Sequence, residues 1–140
     1  MFLLDTNVIS ELRRARSNQA NKHVVKWAQK IPSNQLYISA ITVLELEMGV
    51  LAKERSDEAQ GEVLRKWLNQ SVLPAFAERT LVFDGEIAKC CAALHIPDRR
   101  SERDAMIAAT GITKNMTVVT RNLKDFINTC VKLVDPWEPS

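Results

Sequence analysis

The stretch that decides the fold is Phe2-Leu3-Leu4-Asp5-Thr6-Asn7-Val8-Ile9. Three apolar residues meet an acid, and an amphipathic run follows directly. This reads as a short buried strand over 2–4 that turns into a helix over 6–12, with Asp5 at the junction. The same unit recurs along the chain. Strands are expected at 36–39, 81–83, 117–120 and 131–134. Helices are expected at 21–30, 42–53, 58–70, 86–95 and 105–112. On the 42–53 helix, Leu44, Met48 and Leu51 share one face, and on 58–70, Val63, Leu64, Trp67 and Leu68 follow helical spacing. No repeat, low-complexity tract or linker interrupts the pattern. Strand–helix alternation implies an α/β domain over 1–140, a three-layer α/β/α arrangement with a central, mostly parallel sheet. Such sheets bind ligands beyond the carboxyl ends of their strands, so the residues just after each strand are where chemistry is expected.

Composition bounds the reading. The 140 residues carry 46% hydrophobic and 26% charged side chains, a folded rather than disordered balance. A domain of this size buries roughly two-thirds of its unfolded surface. No apolar run approaches the roughly 20 residues of a spanning helix. The first residues lack the basic stretch of a signal peptide, so a cytoplasmic protein with no membrane association is expected. Cys90, Cys91 and Cys130 have no metal spacing and are expected to be reduced and mostly buried. A net charge of +2 is weak evidence for a nucleic-acid partner, so local charge must carry that argument.

The acids stand at strand ends. Asp5 follows the first strand, where it is also a favourable helix cap. Glu45 is expected in the first helical turn after the second strand, where an acid also suits the helix dipole. Glu47, two residues on, faces nearly away from Glu45. Asp104 opens the 105–112 helix after a basic loop and is again a candidate cap. Asn122 follows the 117–120 strand, with Asp125 close behind. Each has an ordinary structural explanation, but carboxylates gathered at one sheet edge repel one another, and a hard divalent cation removes that cost.

Here the sequence resembles a known family. Leu3-Leu4-Asp5-Thr6-Asn7-Val8-Ile9-Ser10 is similar to the opening of PIN domains. Ser39-Ala40-Ile41-Thr42-Val43-Leu44-Glu45-Leu46 resembles their second motif, Asp104-Ala105-Met106-Ile107-Ala108-Ala109-Thr110 their third, and Val118-Val119-Thr120-Arg121-Asn122-Leu123-Lys124-Asp125-Phe126 their fourth, followed by Asp135-Pro136-Trp137. The order and spread of the four motifs point to VapC-type toxins of bacterial toxin–antitoxin pairs. The resemblance implies an endoribonuclease dependent on Mg²⁺ or Mn²⁺ that cuts RNA, tRNA among the plausible targets. It also implies a homodimer held in a larger assembly by a small VapB-type antitoxin. Carried over by position, Asp5, Glu45 and Asp104 match the metal-binding acids, with Asn122 at a fourth catalytic position where many relatives have Asp. Asn orients a ligand or a water but adds no charge. Asp125 either compensates or caps a turn. Thr6, Asn7 and Thr120 are expected to support the acids by hydrogen bonding.

The remaining candidates are ranked by location. Arg99, Arg100 and Arg103 precede Asp104, and Arg121 and Lys124 flank Asn122, so these five are the expected RNA contacts. Arg13, Arg14 and Arg16 read equally well as a solvated turn. Trp27, Trp67 and Trp137 can stack bases, although for Trp27 and Trp67 a place in the core or at a protein interface is expected. An antitoxin segment is expected over Trp27 and Trp67. His23 and His95 do not suit a paired-histidine nuclease. Two alternatives stand beside the nuclease. An aspartate-nucleophile phosphatase would want an acid two residues after Asp5, where Asn7 stands. A non-catalytic PIN-like binding module would not need the acids at all.

Overall fold

The computed structural model describes residues 1–139. In chain order its strands are β1 (Phe2–Leu4), β2 (Leu36–Ser39), β3 (Thr80–Leu81), β4 (Thr117–Val119) and β5 (Leu133–Val134). Its helices are α1 (Thr6–Arg13), α2 (Lys22–Lys30), α3 (Ala40–Ser56), α4 (Glu58–Trp67), the single turn α5 (Leu73–Ala75), α6 (Gly85–Leu94) and α7 (Glu102–Thr113). All strand pairs are parallel and the sheet order is β3-β2-β1-β4-β5. β1 therefore lies at the centre, and its carboxyl end, Asp5, opens onto the middle of one sheet edge.

Strand pleating sends successive side chains to opposite faces. Leu4 and Val119 enter one apolar cluster with Val8, Ile38, Leu46 and Leu68. Leu3 and Val118 enter another with Ile41, Ile107, Met116 and Phe126. Helices thus cover both sheet faces, which is the three-layer α/β/α arrangement. The helix starts are set by side-chain caps: Ser39 accepts from Thr42 N at 3.1 Å, Asp57 from Gln60 N at 3.2 Å and Asp84 from Ile87 N at 3.0 Å.

Several sequence expectations are corrected. α3 begins at Ala40, two residues early, so Glu45 lies in its second turn and gains little from the helix dipole. α7 begins at Glu102, which puts Asp104 inside the first turn rather than at the cap. The apolar stripe Leu44, Met48 and Leu51 is exposed, while the sheet is covered by Ile41, Thr42, Leu46 and Val50. α3 is apolar on more than one side, so periodicity alone does not choose its buried face. β3 lies at Thr80–Leu81 rather than 81–83, and β5 shortens to its last two residues. The helix expected over 58–70 ends at Trp67, passes through a wider turn at Leu68–Val72 and reaches α5. Cys91 is buried and Cys90 half-buried, but Cys130 is exposed, in a left-handed conformation at φ 66°.

Candidate functional site

Asp5 is built by both of its readings at once. Its Oδ1 accepts the Thr6 backbone N–H at 2.8 Å, capping α1. Its Oδ2 accepts the Thr120 hydroxyl at 2.8 Å and the Asn7 amide at 3.4 Å. Asn7 Nδ2 also donates to Thr120 Oγ1 at 3.2 Å, and Thr120 Oγ1 accepts Asn122 N at 3.1 Å. The ends of β1 and β4 are thereby tied around one carboxylate that is only 6% exposed. Each carboxylate oxygen has two lone pairs, so these bonds fill Oδ2 and leave acceptor capacity on Oδ1.

Glu45 reaches the same place from α3. Thr6 Oγ1 donates to its Oε1 at 2.6 Å, and Arg103 Nε lies 3.4 Å from its Oε2. Asp104 arrives from α7. Together Asp5, Glu45 and Asp104 line a cleft of about 540 Å³ with Thr6, Asn7, Ser10, Glu11, Arg14, Arg121, Asn122 and Trp137. Glu47 turns away, as its spacing requires, and receives two hydrogen bonds from Arg65 at 2.7 and 2.6 Å.

The electrostatics follow from this crowding. Burial pushes the Asp5 carboxyl above the usual carboxylate range. The hydrogen bonds from Thr120 and Thr6 oppose this, and the charges of Glu45 and Asp104 add to it. Burial also raises Asp104, helped by Asp125 and Glu45, while a Ser101 hydrogen bond and the Arg103 charge pull it down. Among the described residues, no group of three or more His, Cys, Asp or Glu side chains is placed to hold a metal ion among them. Asp5, Glu45 and Asp104 offer oxygen alone, which is not a donor set for a soft metal. Three oxygen-only carboxylates, two of them raised in part by the Glu45 charge, in an open cleft with room for water, fit magnesium, which takes few protein ligands and keeps its waters.

The expected RNA contacts divide. Arg121 lines the cleft, and Arg103 stands at Glu45. Arg99 instead pairs with Glu102 at 2.7 Å, beside another cavity. Arg100 is consumed by the Leu94 and Ile127 carbonyls, at 3.0 and 2.7 Å, because it ties the loop before α7 to the segment after β4. Lys124 lies outside the cleft lining. Asp125 is also outside it, yet close enough to raise Asp104. Four lining residues, Ser10, Glu11, Arg14 and Trp137, were not singled out for this site. The signal for Ser10, Glu11 and Arg14 was α1 itself: they stand three, four and seven residues after Asn7 and share its face. His95 Nδ1 accepts Arg100 N at 3.0 Å, a structural role away from the cleft.

Trp67 lines a groove with Arg13, Arg16, Val63, Lys66 and Ser71, and Arg13 sits 5.8 Å above its ring. Trp27 instead packs edge-on against Phe2 at 5.3 Å and contributes to the core.

Comparison with known proteins places this geometry. The PIN domain family model matches residues 2–132. Toxin FitB of Neisseria gonorrhoeae is 38% identical over 98% of this chain and 99% of its own. VapC ribonuclease Y4jK of Sinorhizobium fredii is 35% identical over the whole of both chains. The crystal structure of FitAcB from Neisseria gonorrhoeae superposes with a TM-score of 0.87 at 38% identity, covering 99% of each chain. A toxin–antitoxin complex from Klebsiella pneumoniae aligns at a TM-score of 0.69 and 25% identity over 99% of each chain. The chain belongs to the PIN-domain family, among relatives of the VapC type.

Proposed function

We propose that this protein is a metal-dependent endoribonuclease toxin of a toxin–antitoxin pair, acting in the cytoplasm as one PIN domain over 1–140. The observation that carries the reading is the meeting of Asp5, Glu45 and Asp104, from three separate elements, in one open cleft. Family membership and relatives named as VapC ribonucleases support RNA as the substrate.

The chain's own residues divide the work. Asp5, Glu45 and Asp104 would hold Mg²⁺, with Mn²⁺ as a substitute. When bound, such an ion supplies positive charge at a phosphodiester and makes water a stronger acid. Thr120 and Asn7 aim Asp5, and Thr6 aims Glu45, so the acids keep their orientation without rotamer search. Asn122 presents a neutral amide at the rim, able to orient water or a phosphate oxygen. Arg103, held at Glu45 and about half exposed, offers charge to an incoming phosphate. Asn7 uses its amide to donate to Asp5, which speaks against the acid–acid pair of an aspartate-nucleophile phosphatase.

Two interfaces complete the reading. The groove at Trp67 and Val63 suits an apolar segment of a VapB-type antitoxin, from which a cation would reach the acidic cleft. The exposed stripe Leu44, Met48 and Leu51 suits a second copy of the chain. Leu51→Glu should then lower the mass measured by light scattering while sparing the fold.

The deciding experiment incubates the purified chain with RNA and Mg²⁺. Cleavage that leaves 5′-phosphate ends, that stops on chelation, and that is lost in Asp5→Asn, Glu45→Gln and Asp104→Asn supports the proposal. Full activity in Asp5→Asn, or a 2′,3′-cyclic phosphate formed in EDTA, overturns it.

A further inference from the structure

Two residues at the carboxyl ends of neighbouring strands form a feature that the carboxylate chemistry does not use. β4 and β5 pair in register, Val119 opposite Val134. The chain leaves β4 through Thr120 to Arg121, and leaves β5 through Asp135 and buried Pro136 to Trp137. Both side chains therefore emerge at the same corner, on the wall of the acidic cleft. The Arg121 guanidinium lies over the Trp137 ring, 5.3 Å from its centroid.

Both partners are anchored from behind. Trp137 packs on the main apolar cluster and its backbone N–H donates to Asp135 Oδ1 at 2.9 Å. Arg121 N donates to Asn7 Oδ1 at 3.3 Å, so the arginine's backbone is tied to the first turn of α1, which Asp5 caps. The other arginine lining the cleft, Arg14, faces Glu11 at 3.4 Å, and Arg103 faces Glu45 at the same distance. Among the described residues Arg121 has no carboxylate partner; an aromatic ring holds it instead. A guanidinium carried this way keeps its hydrogen-bond donors and its outer plane available. Guanidinium planes and aromatic rings are the surfaces on which unstacked nucleobases sit.

We propose that Arg121 and Trp137 form a stacking platform for a nucleobase flanking the phosphodiester held at Asp5, Glu45 and Asp104. The proposal rests on the ribonuclease reading and adds to it how the strand is gripped: a base, not only a phosphate, is bound beside the cutting site. Single-stranded or splayed-out RNA is then the form accepted, because a paired base cannot reach the platform.

The test measures binding of two fluorescein-labelled hexamers by anisotropy, oligoadenylate and an abasic ribose-phosphate of equal charge. The full chain carries Asp104→Asn to prevent cutting. Base-on-aromatic stacking predicts oligoadenylate bound about tenfold more tightly than the abasic probe. Trp137→Ala and Arg121→Lys, each added to that background, should bring the ratio close to one while abasic affinity changes less than about twofold, since charge is retained. Trp137→Phe should keep most of the preference. Should Trp137→Ala fail to fold, exposed Arg121→Lys decides alone. A ratio near one before any change at Arg121 or Trp137, or a ratio indifferent to Arg121→Lys, overturns the platform. If the unsubstituted chain still cuts RNA in that case, only the platform falls. If neither hexamer binds and RNA stays intact with Mg²⁺, the ribonuclease reading falls with it.

Discussion

The Thr120 hydroxyl donates to Asp5 Oδ2 at 2.8 Å, joining residues 115 apart in sequence. The bond lowers the proton affinity that burial raises at Asp5. Thr120→Val keeps the shape and removes the donor, so the Asp5 carboxyl should rise further above its ordinary range. A smaller fraction of Asp5 is then ionised at a given pH, and the acid limb of the cleavage profile should move to higher pH. Thr120→Ser should restore the limb. A pH–rate series on the three forms checks this, and an unmoved limb in Thr120→Val would remove Asp5 from the ionisations that govern activity.

Asp104 is raised by burial and by Asp125 and Glu45. The folded carboxyl therefore binds its proton more tightly than the unfolded one. Relative to an uncharged side chain, stability is highest below the ordinary carboxylate value and falls as pH rises through the raised folded value. Without metal, Asp104→Asn should be the more stable form by a few degrees in Tm at neutral pH, with the gap closing in acid. Added Mg²⁺ should reverse the order by stabilising only the unsubstituted chain. Thermal melts at pH 4 and pH 7, with and without Mg²⁺, read both effects.

Asn122 lines the cleft as a neutral amide beside the three acids. Asn122→Asp adds a charge to the donor set, and Mg²⁺ affinity by isothermal titration should rise roughly fivefold, the effect of ~1 kcal/mol of added attraction. The unliganded variant should melt earlier, because a fourth acid increases the repulsion. An unchanged affinity would shift the supporting role to Asp125.

A Cβ placed on Gly61 would lie 2.4 Å from the Glu54 Cα, where α4 folds back against α3. Backbone cannot move aside as a side-chain tip can. Gly61→Ala should cost about 1–3 kcal/mol in urea unfolding and loosen the ion pairs of Arg65 with Glu47 and Glu54, now 2.6 and 3.1 Å. Wild-type stability in this variant would mean that the hairpin opens freely.

Much of the site was visible before folding because strand ends have sequence signatures. Asp5 follows Leu3-Leu4, and Thr120 and Asn122 follow Val118-Val119, so the sheet edge could be inferred from apolar runs and their breaks. Placement within helices was less legible. Glu45 and Asp104 were assigned to the right elements but too close to their starts, since Ala40-Ile41 and Glu102-Arg103 carry no strong start signal beyond the serines before them. The basic loop misled for a different reason. Arg99, Arg100 and Arg103 are close in sequence, but the first two lie in a loop that turns them elsewhere, and only Arg103, inside α7, meets Glu45.

By itself the sequence determined the alternation of strands and helices, the parallel sheet, and the carboxylates at its edge, because these depend on local periodicity and on residue type. The tertiary structure alone decided which face of α3 is buried, leaving Leu44, Met48 and Leu51 exposed, since that depends on which elements pack on it. It alone also set Arg14 and Trp137 around the acids and Arg100 away from them. Those positions follow from strand order and loop closure, which bring together residues more than 100 positions apart and have no counterpart in local spacing.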